Sequence, residues 1–582
     1  MTTSLLPIPA STGLVSFSIE VNDEVFPRHY PVFAIEVIKE INRISHACIY
    51  LADGDASTGE WKLSSETYFS PGNEISILAG YYGEDELIFS GIVISQSLKV
   101  RNSRLELKVV CKDKSIRMTT VKRSRHFVDM KDSDALNEIL GEYEIPISEI
   151  ATTNVIHNDL VQFDCNDWDF IVMRMEANGL VCSVDETGFS TIKPSINASA
   201  TSIIRFGTNV IEFDAEIDAR KQLGAVLSHS WNPSEQDYAE AESTEPTWTT
   251  NGNLSTEELA AAVGAANQFL KHGAAVSTDE LQEWSDATLL RSRMAFTRGR
   301  VRVQGFSQIK PGETIQLEGF GDRFNGPVWV GAVRHEIGKG NWTTDIEFGY
   351  SDETHAQRYQ TSSLPANGLL APVHGLHVGI VTALEGDPLG ELRIRIKVPP
   401  INLTDEGAWA RLATMDAGNS RGSFFLPDIG DEVVVGFLND DPRFPLILGM
   451  LHSSSHSRPE ETTDDNQIRG LYSRSGMHIK FDDESTKLEI LTPAGNSILL
   501  DDDAGELHLA DSNNNKISMS SSGLSLESAG DLILKASGMV KVESTKELEL
   551  KAGTQWKAEG AAGLEISSSA VTVIKGSLVQ IN

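Results

Sequence analysis

Several residue groups in this sequence have types and spacings that chemistry could use. The adjacent carboxylates Asp482-Asp483 and Asp501-Asp502-Asp503 are of the kind that general acid–base hydrolysis or a calcium site employs. His374-x-x-His377 and His452-x3-His456 have the spacing of metal ligands. Gly319-Phe320-Gly321 follows a strand-like stretch, as a phosphate-binding loop does. Each has a plainer reading that outweighs the sharp one. The carboxylates fall at turns between short strands, where acidic side chains end strands and stay solvated. The histidine pairs flank linkers and lack a cysteine or a third acidic ligand at suitable spacing. The glycines lack the third glycine and the helix that a nucleotide loop needs. Trp168 and Phe170 read as helix-packing anchors rather than a ligand cage. The sequence therefore leads us to expect no catalytic residue, no metal site and no cofactor.

The elements that carry these residues belong to a chain of 582 residues, which at roughly 150 residues per domain suggests about four domains. Hydrophobic residues make up 40% of the chain, enough for folded cores. There are 83 acidic residues against 49 basic ones, and the formal charge of −34 argues against nucleic acid or an anionic membrane surface as the main partner. Cys48, Cys111, Cys165 and Cys182 show no CxxC spacing and read as reduced, buried thiols. The start MTTSLLPIPASTG has neither the basic nor the long apolar segment of a secretory leader. No apolar run reaches the length of a membrane span.

Alternating stretches such as VSFSIEV, EISILAGY and RLELKVVCK predict a strand-rich region up to about residue 125. A short helix is expected near Asp132, with Ser133 and Asp134 as capping candidates. A second is expected after Asn166-Asp167, with Gly179 as its terminating glycine. Residues 233–253 read as a polar acidic loop, STEELAAAVGAANQFLKHGAA as a helix capped by Ser255 and Glu258, and the stretch after Ser277 as another helix. Five short strands between about 376 and 452 suit a small barrel of the oligomer-binding type.

The last hundred residues repeat a triplet with apolar first and third positions. The pairs are Ile479/Phe481, Leu488/Ile490, Leu507/Leu509, Leu524/Leu526, Leu532/Leu534, Val540/Val542, Leu548/Leu550, Leu564/Ile566, Val571/Val573 and Val579/Ile581, with weaker units at 498, 517 and 556. From 524 onward the spacing is eight with a single slip to seven. Residues i and i+2 of a strand share a face, so each triplet offers one narrow apolar face that cannot stand alone. A single-chain solenoid or a sandwich would use the same alternation, but three chains wound about one axis fit such short turns best. Thirteen strands at about 4.8 Å would give a shaft on the order of 60 Å.

Three consecutive blocks resemble the VgrG family, the fused hub and spike of contractile injection systems. The first is VQFDCNDWDFIVMRMEANGLVCSVDETG, in which Asp167, Trp168, Phe170 and Gly179 match the hub signature. The second holds Pro427, Gly430, Asp431, Glu432, Val433, Phe437, Asp441 and Pro442, similar to the family's oligomer-binding domain. The third is SGMHIKFDD followed by the octads. The resemblance implies a mainly β protein with an α+β, phage-tail-hub-like region of two β lobes with helical insertions at 1–360, a linker at 361–375, an OB-fold neck at 376–455, a linker at 456–475 and a trimeric intertwined β-helix needle at 476–582. It implies a homotrimer whose hub meets a hexameric inner tube and baseplate proteins. A separate PAAR-like tip protein is expected at the C-terminal end, effector cargo is a further partner, and nucleic acid is not one.

The resemblance also implies assembly in the bacterial cytoplasm as part of a phage-tail-like particle, with the target membrane penetrated mechanically. An extracellular particle and a type VI secretion system both use such a spike; the compact chain without an effector extension favours the former. Stretch 452–475 is too short for the lysozyme that some family members insert there. A trimeric tailspike enzyme or a receptor-binding adhesin acting on surface polysaccharide is the competing reading. The former needs a cleft, which turns of about five residues leave no room for, and the latter a globular head.

Overall fold

The structure is a computed structural model that describes residues 6–7, 13–101, 104–196, 200–265, 267–401 and 404–581. The stretch inspected for a leader, residues 1–13, lies largely outside them. Among the described residues no helix is long and apolar enough to cross a membrane. The chain divides into two compact units, Met1–Val373 with Asn439–Pro442, and His374–Leu438 with Arg443–Asn582.

The first unit is organised by one 14-stranded sheet. Its antiparallel run joins Val32–Glu40, His46–Ala52, Arg104–Lys112, Glu84–Arg101, Glu74–Tyr81 and Val15–Val21. Alternation makes these strands: in Val32–Glu40, Ile35 and Val37 point into a core shared with Ile49, Ile77, Phe89 and Val109. Lys39 continues the same buried face and is tolerated because Glu186 accepts from its ammonium at 2.6 Å. A second β core gathers Ile204, Val301, Ile315, Leu317, Val330 and Ile346. The sequence suggested two β-rich lobes; two cores are present, but the sheet runs through both, by way of the long strand Gly326–Gly338.

A third core is mixed, with helices Asp132–Leu140 and Asp167–Ala177 packed on the two-stranded ribbon Lys122–Lys131 and Ile156–Asn166. Three local expectations need correction. The helix after Ser255 has its capping box but stops at Ala262, because Gly264 takes φ +72°; Asn267–His272 is instead a strand parallel to Ala225–Asn232. The polar stretch 233–253 contains the strand Asp237–Glu242 on the other edge of that same strand. Neither Ser133 nor Asp134 caps the helix there, since it already begins at Asp132.

The second unit holds a closed five-stranded barrel of His377–Ala383, Ile394–Lys397, Ala408–Leu412, Pro445–Met450 and Glu432–Phe437, in that order. Its inward positions Val381, Ile396, Ala410, Val433, Val435 and Ile447 form the core. A seven-stranded antiparallel meander then runs from Ile468–Tyr472 to Gly523–Glu527. Its first strand falls in 456–475, which the sequence presents as linker; Leu471 there pairs with Ile479. Residues 528–581 carry no strand pairing within the chain among the described residues.

Ile396→Ala removes a fully buried side chain from the barrel. It should cost about 2–4 kcal/mol, lowering the urea midpoint of the barrel's unfolding transition; an unchanged midpoint would contradict the closed packing.

Candidate functional site

The chemistry-bearing groups singled out in the sequence are placed as structural elements. Asp482 accepts from the backbone N–H groups of Glu484 and Ser485, both at 3.1 Å, which closes a turn. Asp501 accepts from Ala504 N–H at 3.0 Å and pairs with Lys487 across the sheet at 3.1 Å. The imidazole Nε2 of His377 lies 3.0 Å from the His374 carbonyl oxygen, and His456 lies 3.9 Å from Asp431. Among the described residues no group of three or more His, Cys, Asp or Glu is arranged to hold a metal ion. Gly319 and Gly321 have positive φ in a turn, and Phe320 between them stacks on Phe213 with centroids 4.0 Å apart. All four cysteines are free and buried.

The hub signature is a packing and polar junction. Asn166 caps its helix by accepting from Asp169 N–H at 2.8 Å. Trp168 meets Phe189 edge-on at 6.2 Å, Phe170 stacks on Phe127 at 5.7 Å, and Gly179 takes φ +66° just beyond the helix end. The Asp167 carboxylate is fully buried and accepts from Arg125 at 2.6 Å, Gln162 at 2.8 Å and Tyr143 at 2.5 Å. Glu142 pairs with both Arg123 and Arg125 above it. Burial opposes ionisation of Asp167, but the hydrogen bonds from Tyr143, Gln162 and Arg125 outweigh it and hold the carboxyl below its ordinary value.

A parallel cluster lies at Asp132, which accepts from Arg174 at 2.6 Å and Asn178 at 2.9 Å and contacts His157 at 2.9 Å. Burial again opposes its charge, and the His157, Arg174 and Asn178 contacts hold it well below the usual carboxylate range. Sequence reasoning found Asp167 but missed its partners. The signal was the Lys-Arg-Ser-Arg-His-Phe run, whose alternate arginines share one face of the ribbon.

In the barrel signature, Gly430 takes φ +97° and donates to the Val381 carbonyl at 2.9 Å, while Val381 donates back to Asp431 at 3.0 Å. Asp431 also accepts from Asp428 N–H at 2.8 Å, fixing the turn that follows Pro427 and launches strand Glu432–Phe437. Val433 is core, Phe437 packs edge-on to His377 at 5.8 Å, and Asp441 is buried, grouped with Pro442 in the first unit.

The predicted needle positions form an extended apolar surface. In the meander, cross-strand register aligns Ile479, Ile490, Ile498, Leu509, Ile517 and Leu526 in one ladder. Phe481, Leu488, Leu500, Leu507, Met519 and Leu524 form a second beside it. Six sequence triplets are thus the centres of six five-residue strands. The two ladders share one face with little of the chain covering it: Phe481 is 48% and Leu526 50% exposed. A groove of about 650 Å³ runs along the first ladder, lined by Ile490, Ile498, Leu509, Ile517, Leu526 and Leu532. From Leu524 to Ile581 the predicted core side chains, through Leu534, Val540, Val542, Leu548, Leu550, Leu564, Ile566, Val571, Val573 and Val579, are 49–88% exposed.

Comparison with known proteins gives two family matches. The Alg8 N-terminal domain family matches residues 11–339. The type VI secretion system/phage-baseplate injector OB domain family matches residues 377–452. The type VI secretion system spike protein VgrG4b of Pseudomonas aeruginosa is 29% identical over 138 residues, covering 22% of this chain and 17% of that protein. VgrG1a of the same organism is 27% identical over 192 residues, covering 30% and 29%. The matched segments therefore span less than a third of these curated relatives' length. In structure, the 43 kDa tail protein of prophage MuSo2 from Shewanella oneidensis aligns at TM-score 0.45 and 9% identity, covering 58% of this chain and 99% of that one.

The two depressed carboxyls make hub stability pH-dependent with a definite sign. Their contribution is whole above the unfolded carboxylate pKa of about 4 and is lost progressively as pH falls below it towards the depressed native values. Asp167→Asn should destabilise the hub by roughly 3 kcal/mol at pH 7, removing the buried charge that Arg125, Gln162 and Tyr143 hold, and flatten the acid limb of a stability–pH profile. An unaltered acid limb would contradict this role.

Proposed function

The chain belongs to the Alg8 N-terminal domain family and is a VgrG-type spike protein of the type VI and phage-tail kind, and on that premise we propose that three copies form the hub, neck and needle of a contractile injection machine. The observation that carries this reading is the uncovered apolar face repeated at every octad from Ile479 to Ile581. A row of half-exposed leucines, isoleucines and valines on this scale is far larger than a monomer's surface ordinarily tolerates. Three copies about one axis would bring three such faces together and bury them as a narrow prism core. The 650 Å³ groove beside the first ladder is suited to an octad strand of a second copy.

The other regions take roles consistent with that assembly. Each hub has two β cores on one sheet, so three copies would present six β modules, a match in number for a hexameric inner tube. The barrel, closed on itself, is the neck. Baseplate proteins would surround the hub, a PAAR-like protein would tip the needle, and effector cargo would travel with it. The protein acts without catalysis: sheath contraction supplies the energy and the needle supplies rigidity. We place its assembly in the bacterial cytoplasm, within a phage-tail-like particle. Three copies would carry 3 × −34 = −102 charges, so the needle would breach an anionic membrane by force rather than by attraction.

Leu532→Asp tests this directly, since threefold symmetry would bury three like charges at one level of the prism. Calorimetry of the full-length variant should lose the needle transition and keep that of the hub; an unchanged needle transition would contradict the shared core.

A further inference from the structure

The apolar pattern that builds the needle cannot by itself specify how three chains align. It repeats every eight residues, so a chain displaced by one octad offers its neighbours the same apolar face. The charged positions follow a different period. Counting each octad from its first apolar residue, at 524, 532, 540, 548, 556 and 564, the second position reads Ser525, Ile533, Lys541, Glu549, Lys557, Glu565, charged from the third octad on. The fourth position reads Glu527, Lys535, Glu543, Lys551, Glu559, Ser567, charged through the first five octads. Both rows alternate in sign from octad to octad, in opposite phase, and so repeat every sixteen residues. The alternation occupies the stretch where the spacing is a strict eight and stops where it slips to seven, before Val571.

The structure sets these two positions on one face. Lys541 pairs with Glu543, and Lys557 pairs with Glu559 at 2.7 Å, each joining the second and fourth positions of one octad. Residues two apart on an extended chain share a face, and the apolar first and third positions occupy the opposite one. All of these charges are exposed.

We propose that they form an interchain ladder that fixes the register of three copies of this chain, an inference that rests on the trimeric reading above. In a three-sided prism each octad carries the chain one third of a turn. Along any face, the strand next to one octad is then the following octad of a neighbouring copy, about 4.8 Å away. Lys541 of one copy meets Glu549 of the next, which meets Lys557 of the third; the fourth positions repeat the arrangement with signs exchanged. A slip of one octad sets lysine against lysine and glutamate against glutamate, which is unfavourable for directly opposed residues. The core supplies cohesion and the charges select the alignment, much as flanking charges select register in coiled coils.

The full-length protein provides the test. Mild oxidation of K541C/E549C should give a covalent trimer on a denaturing gel without reductant, whereas K541C alone should not. Reversing one row with K541E/K557E should lower the needle melting temperature by roughly 5 °C at low salt, and by much less at about 1 M salt, where screening acts within about 3 Å. Inverting both rows together, E527K/K535E/K541E/E543K/E549K/K551E/K557E/E559K/E565K, keeps every opposite-charge pair and should restore it. A trimer that forms no cross-link, or whose melting ignores both charge patterns, overturns the ladder alone. A wild-type chain that is monomeric in solution overturns the trimeric reading with it.

Discussion

A β-strand with one apolar face gains nothing from folding until a second apolar face covers it, and the regions of this chain differ chiefly in where that second face comes from. The hub sheet covers its strands with its own loops and helices, so Ile35, Val37 and Phe89 end fully buried. The barrel curls five strands until Val433, Val435 and Ile396 face one another. The needle stretch has neither device. Its strands of five residues give one apolar pair each, the meander aligns the pairs into two ladders, and beyond Glu527 the described residues carry no strand pairing within the chain. The proposed trimer would supply the missing face from its other two copies.

The first unit is held together by charge as well as by packing. Asp167 and Asp132 are both buried carboxylates, each surrounded by an arginine and amide or hydroxyl donors. Such pairs add little net stability, but a buried carboxylate held by three directional contacts fixes the relative placement of ribbon and helix. The signature residues around Asp167 thus make geometric sense without any ligand: Trp168 and Phe170 seat the helix, and Gly179 ends it where the chain must reverse.

Much of this was legible in the sequence because it is local. The octads predicted strand triplets beginning at 479, 488, 507 and 524 from alternation alone, and Asn166 and Ser255 announced their caps by residue type and spacing. The errors lie where a distant partner decides. NQFLKH reads as helix beside an alanine-rich stretch, yet pairs with Ala225–Asn232 some forty residues earlier. The acidic 237–242 segment alternates only alanine with glutamate, a weak apolar face, and becomes a strand as the other neighbour of that same strand. Ile468–Tyr472 looks like linker because Gly470 interrupts it, but register with His478–Asp482 makes it the first rung of the meander. Arg123 and Arg125 alternate onto one face of their strand, but nothing local names the carboxylate some forty residues away that gathers them.

The account stands or falls on whether residues 528–581 gain their core from other copies. The solution mass of the full-length protein, by light scattering at micromolar concentration, is the most direct measurement. The account predicts a trimer of 3 × 63.5 kDa, about 190 kDa. A species of 63.5 kDa that remains soluble with its apolar ladders uncovered would contradict it.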